Sequence, residues 1–535
     1  MTAALADIAP TVTLFATALL VLTVDVLLPR SDVRPPAILS VAGLVAALLL
    51  AVRQWSIAVG APGATGVGSG GMGLSGSTAA SAGMVAADGF GLFVTVLLVL
   101  WALLVALLTI GFAGRHEHAR AEMFVLLLLA TAAMTLFVLA NDLVLLFLCL
   151  ETFSIALYSL CAVRHRDRYG QEAALKYFVL GAVAGSFTLY GIALLYATTG
   201  STQIDAIGRY VAAYTGEVPT TMYAGLALLL VGLGFKVAVA PFHQWTPDVY
   251  QGAPVTVTAF MAAATKTAAF AVMLRVLWTA FPGLEQSWVT ALGAIAVLTI
   301  VVGNLTALVQ SDMKRMLAYS AIAHAGYLLV AVIVGTPEAL TAALFYLLVY
   351  AAMNIGAFSV LSAMRPESWA GGDEREPVQL DDLRGLARRH VGLAAAMALY
   401  LFSLAGLPPT GGFLAKWYLY DAAIADGFAL LALAIALGSL VSAFYYLRPV
   451  AYMFMAEPQV DDEISVSMPE AVVVATTAAI VAFALLLAAP LVDAARASGT
   501  VGAIEAAEAP AVSDDAPPPM YFSPPEFEKG RKTRP

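Results

Sequence analysis

Long uninterrupted apolar runs constrain this chain more than any other feature of its sequence. Runs of about 18 residues or more recur from one end to the other, and each is long enough to cross about 30 Å of hydrocarbon as a helix. Of the 535 residues, 61% are hydrophobic and only 12% are charged, which is too little charge to cover a water-soluble protein of this length. The sequence therefore predicts an all-α polytopic membrane protein.

The apolar runs predict about fourteen transmembrane helices. They lie at about 11–29, 37–53, 89–113, 121–139, 141–163, 174–198, 222–240, 254–280, 287–309, 315–335, 338–364, 391–421, 426–456 and 468–490. No basic segment precedes the first run, so it is interpreted as a retained helix and not as a cleaved signal peptide.

The positive charges predict the orientation of the chain, because arginine- and lysine-rich loops stay in the cytoplasm. Alternate loops are rich in these residues and the intervening loops are poor in them. The rich loops contain Arg30, Arg34, Arg115, Arg120, Arg164, Arg166, Arg168, Lys314, Arg315, Arg365, Arg375, Arg384, Arg388 and Arg389. Both chain termini are then expected on the non-cytoplasmic side.

Two segments are predicted to be disordered. Residues 60–86 are rich in glycine, serine and alanine, and residues 498–535 are rich in proline and acidic residues. The first segment contains a formal match to the dinucleotide-binding pattern GxGxxG at residues 66–71. That pattern requires a preceding strand and a following helix, and the sequence predicts neither, so we interpret the segment as a linker.

Ionisable residues inside the apolar runs are the candidates for function. A charged side chain at the centre of a transmembrane helix costs roughly 2.5–3.5 kcal/mol, so it persists only where partners or water solvate it. Six such residues stand out: Glu151, Lys176, Lys236, Lys266, His324 and Lys416. They suggest a file of groups that relays protons at the bilayer midplane, in which Lys176 is the closest candidate in sequence to act on the mid-span carboxylate of Glu151.

Two of these lysines lie beside predicted helix breaks. Pro241 follows Lys236 by five residues and removes the helical hydrogen-bond partner of the Val237 carbonyl. A second interruption precedes Lys416 by one turn, and it contains Pro408, Pro409, Gly411 and Gly412. Discontinuous helices at matching positions are typical of transporters that bind their substrate near the midplane.

For individual ionisable residues, the sequence is also compatible with a purely structural role. A single buried lysine often locks two helices through an ion pair, and a buried histidine such as His324 packs in a core as readily as it relays protons. Arg275 lies nine residues after Lys266, and it is either an exit-path residue or a structural one.

Several other functions are not supported by the sequence. The chain has no basic patch with interleaved aromatic residues, so no nucleic acid is expected. Its two cysteines, Cys149 and Cys161, cannot supply the four ligands of an iron–sulfur cluster. The histidines His116, His118 and His165 lie in loops without a convergent ligand set, so no metal site is expected.

Six long motifs together contain several of the ionisable residues and parts of both predicted helix breaks. They are ETFSIALY (151–158), EAALKYFVLG (172–181), FHQWTPDVYQGAP (242–254), YSAIAHAGY (319–327), DLRGLA (382–387) and LAGLPPTGGFLAK (404–416). These motifs resemble the proton-translocating, antiporter-like subunits of respiratory complex I, and most of all the subunit N family of NADH–quinone oxidoreductases. The resemblance spans roughly residues 90–456. A lysine at position 416 is similar to the N and L types, and the absence of a long lateral helix after the last span favours the N type.

The resemblance implies a fold with two inverted five-helix repeats, here at 121–280 and 287–456, after N-terminal helices in 1–113 and before a last span at 468–490. It also implies that Glu151, Lys176, Lys236, Lys266 and Lys416 are channel residues. No cofactor is implied for this chain: NADH, FMN, iron–sulfur clusters and quinone would belong to partner subunits of the membrane-bound complex. The expected location is the plasma membrane of a prokaryote.

Two alternatives stay open from the sequence. The chain is also compatible with a subunit of a multi-subunit Na⁺/H⁺ antiporter or a membrane-bound hydrogenase, which share the fold. The other alternative is a scaffold that extends the membrane arm without pumping, in which case charge-neutral substitutions at the ionisable positions would affect assembly only.

Overall fold

The computed structural model of the chain is a bundle of long apolar helices. It describes residues 6–27, 34–60, 83–113, 121–164, 167–214, 218–364, 379–458, 464–484, 486 and 488–498. Within these ranges twelve helices are long and apolar enough to cross a membrane, and Val391–Ala405 and Met468–Phe483 are shorter apolar helices. The predicted helical membrane class is confirmed, and the count of about fourteen spans stays a prediction.

The helices have the following bounds in chain order. They are α1 (Ala9–Leu27), α2 (Arg34–Gly60), α3 (Gly89–Ala113), α4 (Ala121–Leu139), α5 (Leu143–Cys161), α6 (Arg168–Thr199), α7 (Ile204–Ala213), α8 (Thr220–Val237), α9 (Trp245–Gly252), α10 (Val255–Phe260), a π-helical turn (Met261–Thr265), α11 (Lys266–Ala280), α12 (Glu285–Leu308), α13 (Met313–Val334), α14 (Pro337–Ala363), a 3₁₀ turn (Leu380–Leu383), α15 (Leu386–Arg389), α16 (Val391–Ala405), α17 (Gly411–Ala425), α18 (Ala429–Met455), α19 (Met468–Phe483) and α20 (Ala488–Ser498).

The boundary between α4 and α5 is set by an acidic cap. The two spans nearly touch in sequence, and Asp142 has extended backbone between them. Its Oδ1 accepts hydrogen bonds from the backbone N–H groups of Val144 at 2.8 Å and Leu145 at 3.1 Å. These N–H groups have no partner within the first turn of a helix, so an aspartate at this position starts α5.

Residues 83–86, which were predicted to belong to a disordered segment, have a defined backbone. At this C-terminal end of the segment the backbone pairs with the α4–α5 junction: Ala86 N donates to Leu139 O at 2.7 Å, and Asn141 N donates to Met84 O at 2.8 Å. Backbone pairing of this kind does not require a periodic pattern of side chains, so the sequence contains no indication that residues 83–86 are ordered. Residues 61–82 and the tail at 499–535 lie outside the described residues, so the predictions made for them stay predictions.

Some of the residues used to predict orientation and to weigh metal binding also lie outside the described ranges. They are Arg30, Arg115, Arg120, Arg166, Arg365, Arg375, His116, His118 and His165.

The loop predicted at about 199–221 contains a short helix, α7. Its inner face is formed by Ile204, Ile207, Gly208 and Val211, which are buried. At Gly208 an added Cβ would lie 2.1 Å from the Thr279 carbonyl oxygen at the end of α11. Glycine thus allows the close contact that holds α7 against the bundle.

Burial differs strongly between the helices. The apolar windows of Val255–Ala280 and Pro337–Ala363 are wholly buried inside the protein, and that of Met313–Val334 is 94% buried, whereas that of Ala9–Leu27 is only 33% buried. The segments that carry Lys266 and His324 are therefore enclosed by other helices. A charge there is surrounded by protein and is separated from lipid.

Both predicted helix breaks are confirmed. α8 ends at Val237, Ala238 has a left-handed backbone (φ 63°), and the helix resumes at Trp245. α16 ends at Ala405, followed by Gly406 at φ 80°, and α17 starts at Gly411. Left-handed residues end helices because they turn the chain away from the helical path. Both interruptions leave carbonyl groups at depth without helical partners.

Candidate functional site

Lys236 lies at the end of α8, in a pocket of neutral polar and aromatic groups. Its side chain is buried, with 3% of the residue exposed. Its Nζ donates to Ser154 Oγ at 2.8 Å and to the Tyr177 hydroxyl at 3.0 Å, and it lies 4.5 Å from the centre of the Phe153 ring. The hydroxyl oxygens and the ring face each stabilise an ammonium group without adding a negative charge.

Glu151 shares a small cavity with Lys236. The carboxylate is half-buried, and the two side chains lie close enough for their charges to act on each other. Ser154, which accepts from Lys236, lines the same cavity. Gly185 faces the carboxylate, and a Cβ added there would lie 2.6 Å from Oε1 of Glu151. The missing side chain at this glycine is what leaves room for the carboxylate.

Lys176 is not the cation that faces Glu151, contrary to the order suggested by the sequence. Its Nζ forms ion pairs with Glu172 and Asp248, both at 2.7 Å. Gly185, which lies against Glu151, is nine residues further along α6, or about 13 Å along the helix axis. Lys176 was chosen because it is near Glu151 in sequence, whereas the packing of α8 against α6 places the Lys236 side chain beside Ser154 and Glu151 on α5.

A charged cluster joins α6, α9 and α13 at the Lys176 end of α6. Asp248 accepts from Lys176 at 2.7 Å and from Arg315 Nη1 at 2.6 Å. Arg315 also donates to Gln251 Oε1 at 3.1 Å, and Gln251 donates to Asp312 Oδ2 at 3.1 Å. Burial raises the pKa of Asp312, which caps α13. The second half of the first broken helix, α9, is thereby tied to two full-length helices.

Lys266 binds a carbonyl group released by the first helix break. The lysine follows the π-helical turn and is 2% exposed. Its Nζ donates to the Val237 carbonyl at 3.4 Å and also to the Ala321 carbonyl on α13. The Val237 carbonyl is the one that Pro241 deprives of its helical partner. The lysine therefore compensates the break and connects it to the neighbouring helix.

Lys416 binds the end of the second interrupted helix. Its Nζ donates to the carbonyl oxygens of Leu404 at 2.9 Å and Ala405 at 3.1 Å, which form the last turn of α16. It also lies 5.1 Å from the centre of the Tyr327 ring. A cation at this position is favoured because the C-terminal end of a helix carries partial negative charge.

His324 lies in α13 between Lys266 and Lys416 and is 1% exposed. The Tyr346 hydroxyl is 2.6 Å from its Nδ1, and the Tyr446 hydroxyl is 3.2 Å from its Nε2. Both lysines act electrostatically on this imidazole. The structure thus brings the histidine and two of the predicted lysines into one buried polar region.

Arg275 lies in a buried ion pair that the sequence did not indicate. Its guanidinium makes two hydrogen bonds to Asp88, at 2.8 Å and 2.7 Å, and stacks against Phe90 at 5.4 Å. The carboxylate precedes α3 and also caps it by accepting from Gly91 N at 2.7 Å. An exit-path role for Arg275 stays a prediction.

Sequence reasoning missed three further groups. The tyrosines around His324 were not separable from core aromatic residues, because a hydroxyl leaves no trace in hydropathy. Asp88 lies in a loop, where an acidic residue is unremarkable. Asp248 was visible as a charge in the polar string after Pro241, and its position beside a helix break was the available signal. Across the described ranges, no group of three or more His, Cys, Asp or Glu side chains is arranged to hold a metal ion.

The family model described as NADH:quinone oxidoreductase/Mrp antiporter, TM, matches residues 140–442. That region contains both helix breaks and the buried lysines. Fold and site together define the class: an antiporter-like membrane subunit.

Relatives of known name narrow this class. Subunit N of the NADH-quinone oxidoreductase of Trichlorobacter lovleyi is 40% identical over 474 residues, which cover 88% of this chain and 92% of that protein. Subunit N from Saccharopolyspora erythraea is 45% identical over 380 residues, covering 69% of this chain and 72% of that protein. The chain belongs to the NADH-quinone oxidoreductase subunit N family.

Solved structures agree with this placement. A chain of respiratory complex I from Thermus thermophilus with bound aureothin is 34% identical, with a TM-score of 0.74, and the match covers 92% of this chain and all of that one. A chain of the Mrp complex from Dietzia sp. DQ12-45-1b has a TM-score of 0.78 at 21% identity, covering 92% of this chain and 96% of that one. The second likeness is one of fold alone.

Proposed function

We propose that this chain carries protons across the membrane as the N subunit of an NADH-quinone oxidoreductase. One observation carries the proposal: Lys266 and Lys416, both buried, donate to main-chain carbonyl oxygens at the two helix breaks. The proposed path consists of Glu151, Lys236, Lys266, His324 and Lys416.

The chemistry of these contacts suits a group that gains and loses a proton. A lysine in a buried ion pair with a carboxylate cannot release its proton without leaving an uncompensated charge, at a cost of several kcal/mol. Carbonyl groups stabilise an ammonium group through their dipoles, and they leave no uncompensated charge when the lysine releases its proton. Unwound backbone and the C-terminal ends of half-helices are also where membrane transporters coordinate their cations.

The contacts suggest an order of transfer. A change of charge at Glu151 acts on Lys236 through the shared cavity, because charges interact strongly where little water screens them. Lys236 passes a proton to Lys266. The Lys266 ammonium group is hydrogen-bonded to the carbonyl of Val237, the residue that follows Lys236. From there the proton crosses α13 near His324 and leaves through Lys416.

Lys176 and Arg275 have different roles in this proposal. Lys176 couples the path to movement of α9, because its ion pair with Asp248 links α6 to the second half of the broken helix. Arg275 marks the exit side, where release of its bond to Asp88 would open a polar route past α3. Long-range coupling requires elements with two arrangements, and the break after Val237 is the candidate for such an element.

Electron transfer takes place outside this chain in the proposed complex. NADH, FMN, the iron–sulfur clusters and quinone bind to partner subunits, and other membrane-arm subunits lie beside this one in the bilayer. The two cysteines are buried in a single helix, α5. Neither is placed in the proton path.

Membership of this family makes the chain a multi-pass membrane protein of the bacterial type. We further propose that both termini face the non-cytoplasmic side, on the distribution of arginine and lysine. The repeats at 121–280 and 287–456 are also part of the proposal. What supports them is that each contains an interrupted helix and a buried lysine bound at the interruption.

An Na⁺/H⁺ antiporter subunit is less well supported, because the likeness to the Mrp complex is one of fold alone. The scaffold alternative predicts that substitutions in the path affect assembly and leave pumping unchanged. These outcomes separate the alternatives experimentally.

Glu151→Ala and Lys236→Ala in the assembled complex test the proposal. Proton uptake into membrane vesicles, driven by NADH and followed with a pH-sensitive dye, is expected to fall sharply in both variants. Electron transfer to quinone and the membrane content of the chain are measured in parallel, with and without Na⁺. If both variants pump protons at the wild-type rate per assembled complex, the proposed path is wrong.

A further inference from the structure

A set of buried hydroxyl groups surrounds the imidazole of His324, and the proton path as proposed does not use them. Tyr346 and Tyr446 reach the two ring nitrogens from α14 and α18, at 2.6 Å and 3.2 Å. Both tyrosines are almost wholly buried, with exposed fractions of 1% and 0%. Two hydroxyl groups at opposite nitrogens fix the orientation of the ring, and they offer a donor or an acceptor at each side.

The Tyr446 hydroxyl has a second partner that extends the connection towards Lys266. It is hydrogen-bonded to Ser320 Oγ, which is also buried. Ser320 immediately precedes Ala321, whose carbonyl accepts from Lys266 Nζ. The hydroxyl of Tyr446 therefore bridges the residue next to the Lys266 contact and the ring of His324.

The other side of the ring leads to Lys416. The Tyr327 ring packs edge-on against the imidazole, with 5.5 Å between the ring centres, and Lys416 Nζ lies 5.1 Å from the centre of the same Tyr327 ring. The imidazole thus lies between a hydroxyl bridge on the Lys266 side and a shared aromatic neighbour on the Lys416 side.

We infer that Tyr446 relays the proton between the Lys266 side and His324, and that Tyr346 is a positioning residue that sets the tautomer of the same imidazole. The inference rests on the proposed function and names two residues beyond it. The basis is geometric: one hydroxyl joins two buried polar side chains, and another occupies the remaining ring nitrogen.

The relay step is balanced in protons. An incoming proton binds Ser320 Oγ, the hydroxyl proton of Ser320 moves to the Tyr446 oxygen, and the hydroxyl proton of Tyr446 moves to Nε2 of His324. The Nδ1 proton stays in its hydrogen bond to the Tyr346 oxygen, so His324 becomes an imidazolium and Tyr346 keeps its own proton. One proton enters and is held on the imidazole until it leaves on the Lys416 side, and no heavy-atom bond changes.

Tyr445 provides a matched control in the same helix. It is as deeply buried as Tyr446, and the two rings lie 4.4 Å apart. Its hydroxyl donates to Asn304 Oδ1 at 3.1 Å and also interacts with the Tyr446 hydroxyl, but it contacts neither imidazole nitrogen of His324. Removing either hydroxyl leaves buried polar partners unsatisfied, so the two variants should lose similar stability.

The experiment compares Tyr446→Phe, Ser320→Ala and Tyr445→Phe in the assembled complex, reconstituted into vesicles. We expect Tyr446→Phe and Ser320→Ala to lower NADH-driven proton uptake per assembled complex by at least about tenfold. This is less than the roughly 100-fold that a positioned proton donor contributes at minimum, because water is able to enter the vacated polar space. Tyr445→Phe should stay within about twofold of wild type.

The positioning role of Tyr346 is tested through its dependence on His324. Tyr346→Phe should reduce proton uptake in the wild-type background and have no further effect when His324→Asn is already present, since the two residues act as one unit. Equal effects in both backgrounds would contradict the assignment.

The outcomes distinguish this inference from the proposed function. If Glu151→Ala and Lys236→Ala abolish pumping while Tyr446→Phe behaves like Tyr445→Phe, the relay is wrong and the proton path stands. If all these variants pump like wild type, the proposed function fails first. A solvent deuterium isotope effect on proton uptake that changes in Tyr446→Phe but not in Tyr445→Phe supports the relay.

Discussion

Gly185→Ala tests the claim that the position of the Glu151 carboxylate controls pumping. The added Cβ would lie 2.6 Å from Oε1 of Glu151, whereas ordinary contact begins at about 3.4 Å. The carboxylate must therefore move by roughly 0.8 Å, from the difference of these distances. Because Oε1 is at the end of a flexible side chain, the move costs only about 0.5–1.5 kcal/mol in rotamer strain.

The stability and the activity of this variant should separate. Alanine in place of glycine within a helix stabilises by about 0.5–1 kcal/mol, which offsets most of the strain, so the complex should assemble normally. Proton transfer is far more sensitive, since a misplacement of about 1 Å at a reacting group costs as much as 100-fold in rate. We expect proton uptake per assembled complex to fall by about tenfold or more.

Gly293→Ala is the matched control. Gly293 also lies within a long helix, α12, and nothing lies within 4 Å of a Cβ added there. The assay is NADH-driven proton uptake in vesicles, normalised to the amount of assembled complex. Equal pumping by the two alanine variants would refute the reasoning that Glu151 must occupy its present position.

Two further predictions concern the architecture that holds the site. In Gly412→Ala the added Cβ would lie 1.9 Å from the Ser403 carbonyl oxygen, which belongs to the backbone and cannot rotate away. We therefore expect overpacking to destabilise the protein by about 1–3 kcal/mol and to reduce the amount of assembled complex. Assembly equal to that of Gly293→Ala would contradict this. In Asp88→Asn the buried Arg275 guanidinium loses its counter-charge, so we expect the free energy of unfolding of the purified complex to fall by roughly 1–3 kcal/mol. This is below the cost of breaking a fully buried pair because Asp88 is 28% exposed. An unchanged thermal unfolding temperature would show that the ion pair is not structural.

The helical architecture was predictable because its signals are local. Each apolar run is long enough to span the membrane by itself, and Pro241 and Pro408 interrupt their helices whatever surrounds them. The limits of the prediction appear where two distant backbone segments meet. Residues 84–86 pair with the α4–α5 junction through main-chain hydrogen bonds. No side-chain pattern in the sequence indicates this pairing.

The ionisable residues of the site were also predictable, because a charged side chain has a high free-energy cost in a bilayer and is conspicuous within an apolar run. The partners of these residues were not predictable. Lys176 bonds to Asp248, 72 residues away, and Arg275 bonds to Asp88, 187 residues away. Partner choice depends on which helices pack together, and the sequence of a single chain does not determine that. The cavity shared by Glu151 and Lys236 depends on the same packing.

The π-helical turn before Lys266 was not predictable either. Residues 254–280 appear in the sequence as one continuous helix, and the turn at Met261–Thr265 consists of small and flexible residues with no proline or glycine. Such turns occur inside α-helices, frequently at functional sites, and they widen the helix locally. This one precedes the lysine that contacts both α13 and the first break.

The central claim is that a buried lysine bound to released carbonyl groups carries protons, and Lys266→Met tests it most directly against Lys314→Met. Both lysines are buried and both donate to a backbone carbonyl, but Lys314 is the second residue of α13 and lies at the helix end. Proton uptake per NADH oxidised, measured in vesicles containing the assembled complex, is predicted to collapse in Lys266→Met and to stay near wild type in Lys314→Met. Undiminished uptake in Lys266→Met would contradict the account.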